Sequence, residues 1–181
     1  DIAEHGRLNY HYYNALKKSI LSHPAPFLKG ILLSICEDGT CSLREATCIA
    51  SVLTKVSIPA IHSTAVLLKL AGMRYSGCNS LFIRVLLSKN PPLPVRLVDA
   101  LCDHFPRFTT ERRELPVLWH ESLLVFVQRY KQEIESASKR SALKALLKAH
   151  THPLITAEIR RELFAGSSQG QGPVIEGVEM Q

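Results

Sequence analysis

The middle of the chain lacks acidic residues. From Ala46 to Val98 the sequence contains no Asp and no Glu. The cations of this stretch are Lys55, Lys69, Arg74, Arg84, Lys89 and Arg96. Protein surfaces normally intersperse charges of both signs, because unpaired like charges repel one another. A stretch that carries only cations indicates a surface for an anionic partner, or a segment so buried that few charges fit.

Long apolar runs are also absent. No uninterrupted apolar stretch approaches the ~20 residues that a membrane-spanning helix needs, and the apolar cluster 123–127 is followed by Gln128 and Arg129. This pattern predicts a protein without a membrane partner. The chain begins at Asp1 with no signal-peptide pattern, so we expect that upstream sequence is missing.

The cysteines are few, odd in number and scattered. They are Cys36, Cys41, Cys48, Cys78 and Cys102. Secreted disulfide scaffolds have dense and even pairing, so this set favours reduced thiols in an intracellular compartment. Structural zinc needs four converging ligands, and no second pair accompanies Cys36 and Cys41. The sequence therefore predicts no metal site and no cofactor.

Catalytic motifs are missing as well. The sequence has many serines but no Gly-x-Ser-x-Gly elbow, and it has no glycine-rich phosphate loop. His120 lies in the most apolar predicted helix, which favours a hydrogen-bonded core histidine over an acid–base group. We therefore predict a protein that is not an enzyme and has no small-molecule substrate.

Helical periodicity runs through nearly every segment, and strand alternation of useful length is absent. The spacing of Ser42 and Glu45 is typical of a capping box, and Pro59, Pro94 and Pro116 suit helix starts. Such a pattern predicts an all-α fold of about nine helices in antiparallel pairs, stacked as a HEAT-like α-solenoid. A closed helical bundle is the competing architecture.

Helix ends and domain limits follow from the same pattern. We expect the seventh helix to reach about Ile134 and a short ninth helix to be capped by Thr156. The helical domain is predicted to cover residues 1–166. Residues 167–181 form a tail rich in Ser, Gln and Gly, which cannot bury enough apolar surface to order itself.

Six cations are candidate contacts to an anion such as a phosphate group. Lys55, Lys69 and Lys89 fall in last helical turns, where a cation also interacts with free carbonyls and the helix dipole. That structural role competes with anion binding for these three lysines. Both interpretations stay open at this point.

Three arginines have no such local explanation and are the preferred anion contacts. Arg44 lies in the first turn of a predicted helix, which is the wrong end for a cation. Arg84 lies in mid-helix with no acid three or four residues away, and Arg74 lies in the link after Gly72. The alternative is an acid from a distant helix, or solvation of the charge.

A basic stripe is predicted on the eighth helix, where Arg140, Lys144 and Lys148 recur every four residues. Cations on one helix face can follow a phosphate backbone. A solvated helix face explains the same pattern. Because no RNA-reading motif is present, the sequence does not support base-specific recognition.

A series of longer motifs occurs in a fixed order along the chain. They are GTCSLREA at 39–46, SIP at 57–59 with HS at 62–63, YSG at 75–77 with NS at 79–80, ELPVLWH at 114–120, QRYK at 128–131 and EIRREL at 158–163. This series resembles the bystin family, also called the essential-nuclear-protein family. The resemblance covers roughly residues 8–163, and it departs from the family at Asn90-Pro91-Pro92 and in the tail.

The resemblance implies a non-enzymatic assembly factor of the small (40S) ribosomal subunit. Such a factor binds pre-ribosomal particles through precursor 18S rRNA, small-subunit ribosomal proteins and other assembly factors. It implies residence in the nucleolus and nucleus, with travel to the cytoplasm on these particles. The alternative is a general intracellular helical scaffold that binds proteins without binding RNA directly.

Overall fold

The computed structural model describes residues 8–134 and 136–164 of the chain. Within these residues the regular structure is entirely helical, which confirms the predicted all-α class. The nine helices are α1 (Tyr10–Ser22), α2 (Pro24–Asp38), α3 (Leu43–Lys55), α4 (Ala60–Gly72), α5 (Gly77–Ser88), α6 (Val95–His104), α7 (Val117–Tyr130), α8 (Ala137–Ala149) and α9 (Ile155–Phe164). The predicted tail, 167–181, lies outside the described residues.

The start of α3 is fixed by the predicted capping box. The Oγ of Ser42 accepts a hydrogen bond from the backbone N–H of Glu45 at 3.3 Å. The Glu45 carboxylate accepts in return from the backbone N–H of Ser42 at 2.9 Å. Two otherwise free helical N–H groups are thereby satisfied, so α3 begins where the sequence predicted.

Two predicted helix ends differ from the structure. Helix α7 ends at Tyr130 rather than near Ile134. Helix α9 begins at Ile155, so Thr156 lies in its first turn instead of capping it. There the Thr156 hydroxyl accepts from the backbone N–H of His152 at 2.7 Å. Such shifts are expected because a helix end depends on one or two backbone groups.

Helix α2 contains an unusual π-helical segment. Residues Leu28–Leu33 form the π-helix, between α-helical turns at Pro24–Phe27 and Ser34–Asp38. The helix ends at Asp38, and the next residue, Gly39, has a left-handed φ of 66° that suits glycine. A π-helical segment is rare in globular proteins and often lies at a functional site.

The helices pack in two rows. In the first row α1 packs on α3, α3 on α5, α5 on α7, and α7 on α9. In the second row α2 packs on α4, α4 on α6, and α8 on the 3-10 turn Pro106–Thr110 that follows α6. Neighbours in a row are therefore mostly two helices apart in the chain. The antiparallel pairing and the HEAT-like solenoid stay predictions.

A continuous apolar core lies between the rows. Its largest side chains include Trp119, Phe82, Phe105 and Phe126, all fully buried. The Phe105 and Phe126 rings stack at a centroid distance of 5.6 Å, and Trp119 meets Phe105 edge-on at 5.9 Å. These aromatic contacts join α6 to α7.

No described helix alone is long and apolar enough to cross a membrane. Helices α1 and α2 pass the length and composition criteria only as a pair, and they are bent by 120° relative to each other.

Candidate nucleic-acid interface

Three of the predicted anion contacts line one surface groove of about 720 Å³. We call this the basic groove; its cations are Lys55 at the end of α3, Arg84 on α5 and Lys89 just after α5. Val125 of α7 lies on its wall. The described lining residues include no Asp or Glu. A concave surface lined by cations concentrates the positive potential that attracts a polyanion.

Arg84 is the only predicted contact with a described carboxylate partner. Its Nη1 lies 2.6 Å from Oε2 of Glu121 on α7, 37 positions further along the chain. About a third of each side chain is exposed, at 35% and 34%. Exposed ion pairs contribute about 0–1 kcal/mol, so a phosphate can replace the carboxylate at small cost. Glu121 still reduces the free charge of the groove.

Lys89 interacts with free carbonyls at a helix end, as the sequence predicted, but the helix is a neighbour and not its own. Its ammonium donates to the carbonyl of Val56 at 2.7 Å and to that of Thr54 at 3.2 Å. These carbonyls belong to the end of α3, not to its own helix α5. Burial lowers the pKa of Lys89. Lys89 therefore stabilises a neighbouring helix end, where its charge meets the negative end of the dipole.

Lys55 keeps its charge at the surface. The side chain is exposed, and its Nζ lies 5.6 Å from the centre of the Tyr13 ring on α1. Such a cation–π contact orients the ammonium without neutralising it. Lys55 is therefore the most available cation of the basic groove.

Four predicted contacts are exposed elsewhere on the surface and have no described aromatic contact: Arg44, Lys69, Arg74 and Lys148. Among the described residues, none of the four side chains takes part in a hydrogen bond or ion pair. They lie at the start of α3, on α4, in the α4–α5 link and near the end of α8. The structure does not place them in the basic groove.

Arg74 lies with two arginines that the sequence analysis missed. Arg74, Arg107 and Arg113 line a shallow pocket of about 400 Å³ beside Glu111. Arg113 donates to Glu111 at 2.8 Å, and its hydrogen bonds lower the pKa of that carboxyl to about 2. The pocket forms where Tyr75 meets the 3-10 turn after α6. No local sequence pattern connects these positions, so sequence reasoning had no signal for them.

Two of the three cations in the predicted stripe on α8 contact other described residues. Arg140 donates from Nε to the carbonyl of Ile134 at 2.8 Å, in the link after α7. The Nζ of Lys144 lies 5.7 Å from the ring centre of Phe164. Arg140 therefore has a structural role, whereas Lys144 and Lys148 are both exposed and the ring contact orients the Lys144 ammonium without neutralising it.

The described ion pairs leave most of the predicted cations unneutralised. Five pairs join described side chains, and they are Arg84–Glu121, Arg113–Glu111, Lys131–Glu162, Lys139–Asp99 and Arg161–Glu158. Only the first includes a predicted anion contact. The nine predicted cations are thus not sequestered as a set, and their binding to an anion stays a prediction.

Burial sets the protonation of two thiols and of the buried histidine of α7. All five cysteines are free thiols, and burial raises the pKa of Cys36 and of Cys41 to about 12. No group of three or more possible metal ligands occurs within the described ranges. His120 is 3% exposed, and burial lowers its pKa to about 4.

Comparison with known proteins identifies relatives over nearly the whole chain. The family model described as Bystin matches residues 1–172. The chain is 57% identical to Bystin of Nematostella vectensis over 93% of its length, and 53% identical to Bystin of Homo sapiens over 90%. It covers 39% and 37% of those two proteins. The chain thus spans about two fifths of the length of these curated relatives, and it belongs to the bystin family.

Proposed function

We propose that the chain is the helical part of a non-enzymatic assembly factor for the small (40S) ribosomal subunit. In this proposal it binds pre-ribosomal particles during pre-rRNA processing, through precursor 18S rRNA, small-subunit ribosomal proteins and other assembly factors. It acts in the nucleolus and nucleus and travels to the cytoplasm with the particles. Its two rows of helices form a HEAT-like solenoid of antiparallel pairs.

Membership of the bystin family supports a bystin-type role for the chain; the ribosomal function and rRNA binding are the finer part of the proposal. The observation that supports rRNA binding is the set of exposed cations with neither a polar nor an aromatic partner among the described residues, Arg44, Lys69, Arg74 and Lys148. Lys55 adds a fifth accessible charge at the basic groove. Phosphate contacts of this kind supply affinity and position without reading sequence. The proposal therefore concerns backbone contacts rather than base recognition.

A protein-binding scaffold without RNA contacts is the second candidate. The observation that favours it is the exposure of large apolar side chains on α4, where Ile61 is 73% and Leu68 is 44% exposed. Such a scaffold would use its positive charge for solubility or for acidic peptides. The two candidates differ in whether single surface cations change the affinity for RNA.

Charge-neutralising variants test the proposal. Binding of a labelled precursor 18S rRNA transcript is measured by fluorescence anisotropy for the wild-type chain, Arg44→Gln and Arg74→Gln. We expect each variant to weaken binding by roughly threefold to tenfold, because each removes about one phosphate contact. The melting temperature should not change, since both arginines are exposed.

Arg161→Gln is the matched control. It removes the same charge from a side chain that is 71% exposed but already paired with Glu158. The control should bind RNA within about twofold of wild type, because that charge is locally compensated. Equal affinities for all four proteins would contradict direct rRNA binding and favour the protein scaffold.

A further inference from the structure

A second groove, between α2 and α4, is mainly apolar. We call it the apolar groove; it has a volume of about 570 Å³. Its apolar lining consists of Ala25, Leu28, Leu33, Ala65, Val66 and Leu68. Concave apolar surfaces of this size are typical of binding sites rather than of ordinary protein surface.

One wall of the apolar groove is the π-helical segment of α2. Leu28 and Leu33 are the first and last residues of that segment, and both line the groove. The chain departs from α-helical hydrogen bonding at this place although regular α-helical turns lie on both sides. Since π-helical segments are often found at functional sites, this departure is a second, independent indication of a binding surface.

The other wall belongs to a helix with an unpartnered apolar face. Ile61, Ala65 and Leu68 are spaced at i, i+4 and i+7 on α4, and all three are exposed. Residues at this spacing form one stripe along a helix. An amphipathic helix normally turns such a stripe toward a core. Here Ala65 and Leu68 of the stripe line the groove, and the exposure of all three residues shows that no described helix packs over it.

The charged groups at the groove are mostly positive. Lys29 of α2 and Lys69 of α4 both line it, with His62 beside them. Glu37 is the one acid among the described lining residues. An occupant with acidic residues beside an apolar face would match this surface in both polarity and charge.

We propose that the apolar groove binds an amphipathic α-helix of a partner protein, with acidic residues flanking its apolar face. The partner lays branched apolar side chains against Ala25, Ala65 and Leu68, the accessible apolar lining residues, and its carboxylates meet Lys29 and Lys69. Helix-in-groove recognition needs an apolar trough with anchors spaced along one helix face, which is the geometry present here. RNA matches the apolar groove less well than such a helix, because the phosphates and sugars of its backbone have no apolar face to bury.

An acidic amphipathic peptide is the direct probe. A synthetic peptide of about 18 residues is long enough to form a helix; it carries Leu at i, i+4, i+7 and i+11, with Glu at the flanking positions. Binding to the chain is measured by fluorescence anisotropy. We expect saturable binding with a Kd below about 100 µM. A scrambled peptide of the same composition, and one with Lys in place of Glu, should each bind at least about tenfold more weakly.

Ala65→Glu tests the location of the site. It places a carboxylate on the floor of the groove at an exposed helix position, where it repels the acidic flanks of the peptide, and we expect it to weaken peptide binding by about tenfold or more. Ala157→Glu, at an exposed position of α9, is the matched control and should leave the affinity unchanged. Leu68→Gln should weaken binding in the same direction, and melting temperatures identify any variant that fails to fold.

The outcomes separate this proposal from rRNA binding. No saturable peptide binding, equal binding of the scrambled peptide, or unchanged affinity of Ala65→Glu would each overturn the groove proposal. If Ala65→Glu instead weakened binding of the rRNA transcript and spared the peptide, the groove would be an RNA surface, and the proposal would again be wrong. Intact rRNA binding with absent peptide binding would leave the proposed function standing.

Discussion

At the scale of single residues, two histidines are held neutral inside the molecule. His104 is 4% exposed and its Nδ1 lies 2.8 Å from the carbonyl oxygen of Ala71. His120 is 3% exposed, with the His152 ring at a centroid distance of 5.5 Å. Burial is the main cause that lowers the pKa of each from 6.5 to about 4; the Arg107 guanidinium acts in the same direction on His104, and the nearby His152 ring does so on His120. The apolar helix around His120 predicted its core position, which is confirmed, whereas nothing in the sequence indicated the burial of His104, because that burial comes from distant helices.

These two pKa values predict acid sensitivity. Below pH 6.5 the unfolded chain takes up protons at both histidines, whereas the folded chain does so only near pH 4. Stability is therefore complete above pH 6.5 and is lost as the pH falls through this window. We expect a loss on the order of 2 kcal/mol per histidine between pH 6.5 and 5, measured by urea unfolding.

His120→Gln separates the contribution of one histidine. The variant should show about half of the wild-type pH dependence over that interval, because one of the two buried groups no longer titrates. If the unfolding free energy of the wild-type chain is constant or rises as the pH falls from 7 to 5, the histidines are not buried in the neutral form.

At the scale of helices, α3, α5 and α7 are joined through polar contacts around the basic groove. Lys89 connects the end of α5 to the carbonyl end of α3, and Arg84 connects α5 to Glu121 of α7. Both cations therefore have a structural contact and a surface position. Glu121 limits how far the Arg84 guanidinium is available to a phosphate.

Removing that carboxylate should increase RNA affinity. In Glu121→Gln, Arg84 loses its ionic partner, so we expect the rRNA transcript to bind roughly twofold to fivefold more tightly. The stability cost should stay below about 1 kcal/mol, since the pair is partly exposed. Glu158→Gln removes the same charge beside Arg161 and is the control. Equal tightening in both variants would indicate a general charge effect and no role for Arg84.

The helices themselves were largely predictable, because their signals are local. The capping box of Ser42 and Glu45 satisfies N–H groups within one turn, so the sequence alone predicts where α3 begins. The π-helical turn of Leu28–Leu33 was not predicted, because the same apolar periodicity is compatible with an ordinary α-helix. Helix ends such as Tyr130 depend on a single carbonyl or side chain and were displaced by a few residues.

At the scale of the whole molecule, the contacts between helices escaped prediction. Sequence reasoning recognised that Arg84 had no acid within one turn, but it had no means to find Glu121 on another helix. It also could not bring Arg107 and Arg113 to Arg74, since this arrangement follows from how the 3-10 turn packs on the α4–α5 link. The sequence thus predicted which cations are candidates for the site, but it did not predict which of them lie close together in the fold.

The central claim is that this helical array binds rRNA through surface cations. The most direct test is the affinity for a precursor 18S rRNA transcript across a salt titration, with the wild-type chain and the Arg44→Gln/Arg74→Gln/Arg84→Gln variant. Each phosphate contact contributes about −0.7 to −0.9 to the slope of log affinity against log salt. We expect a wild-type slope of roughly −3 or steeper, reduced by about one for each contact removed. A slope near zero, or an identical slope in the variant, would contradict the claim.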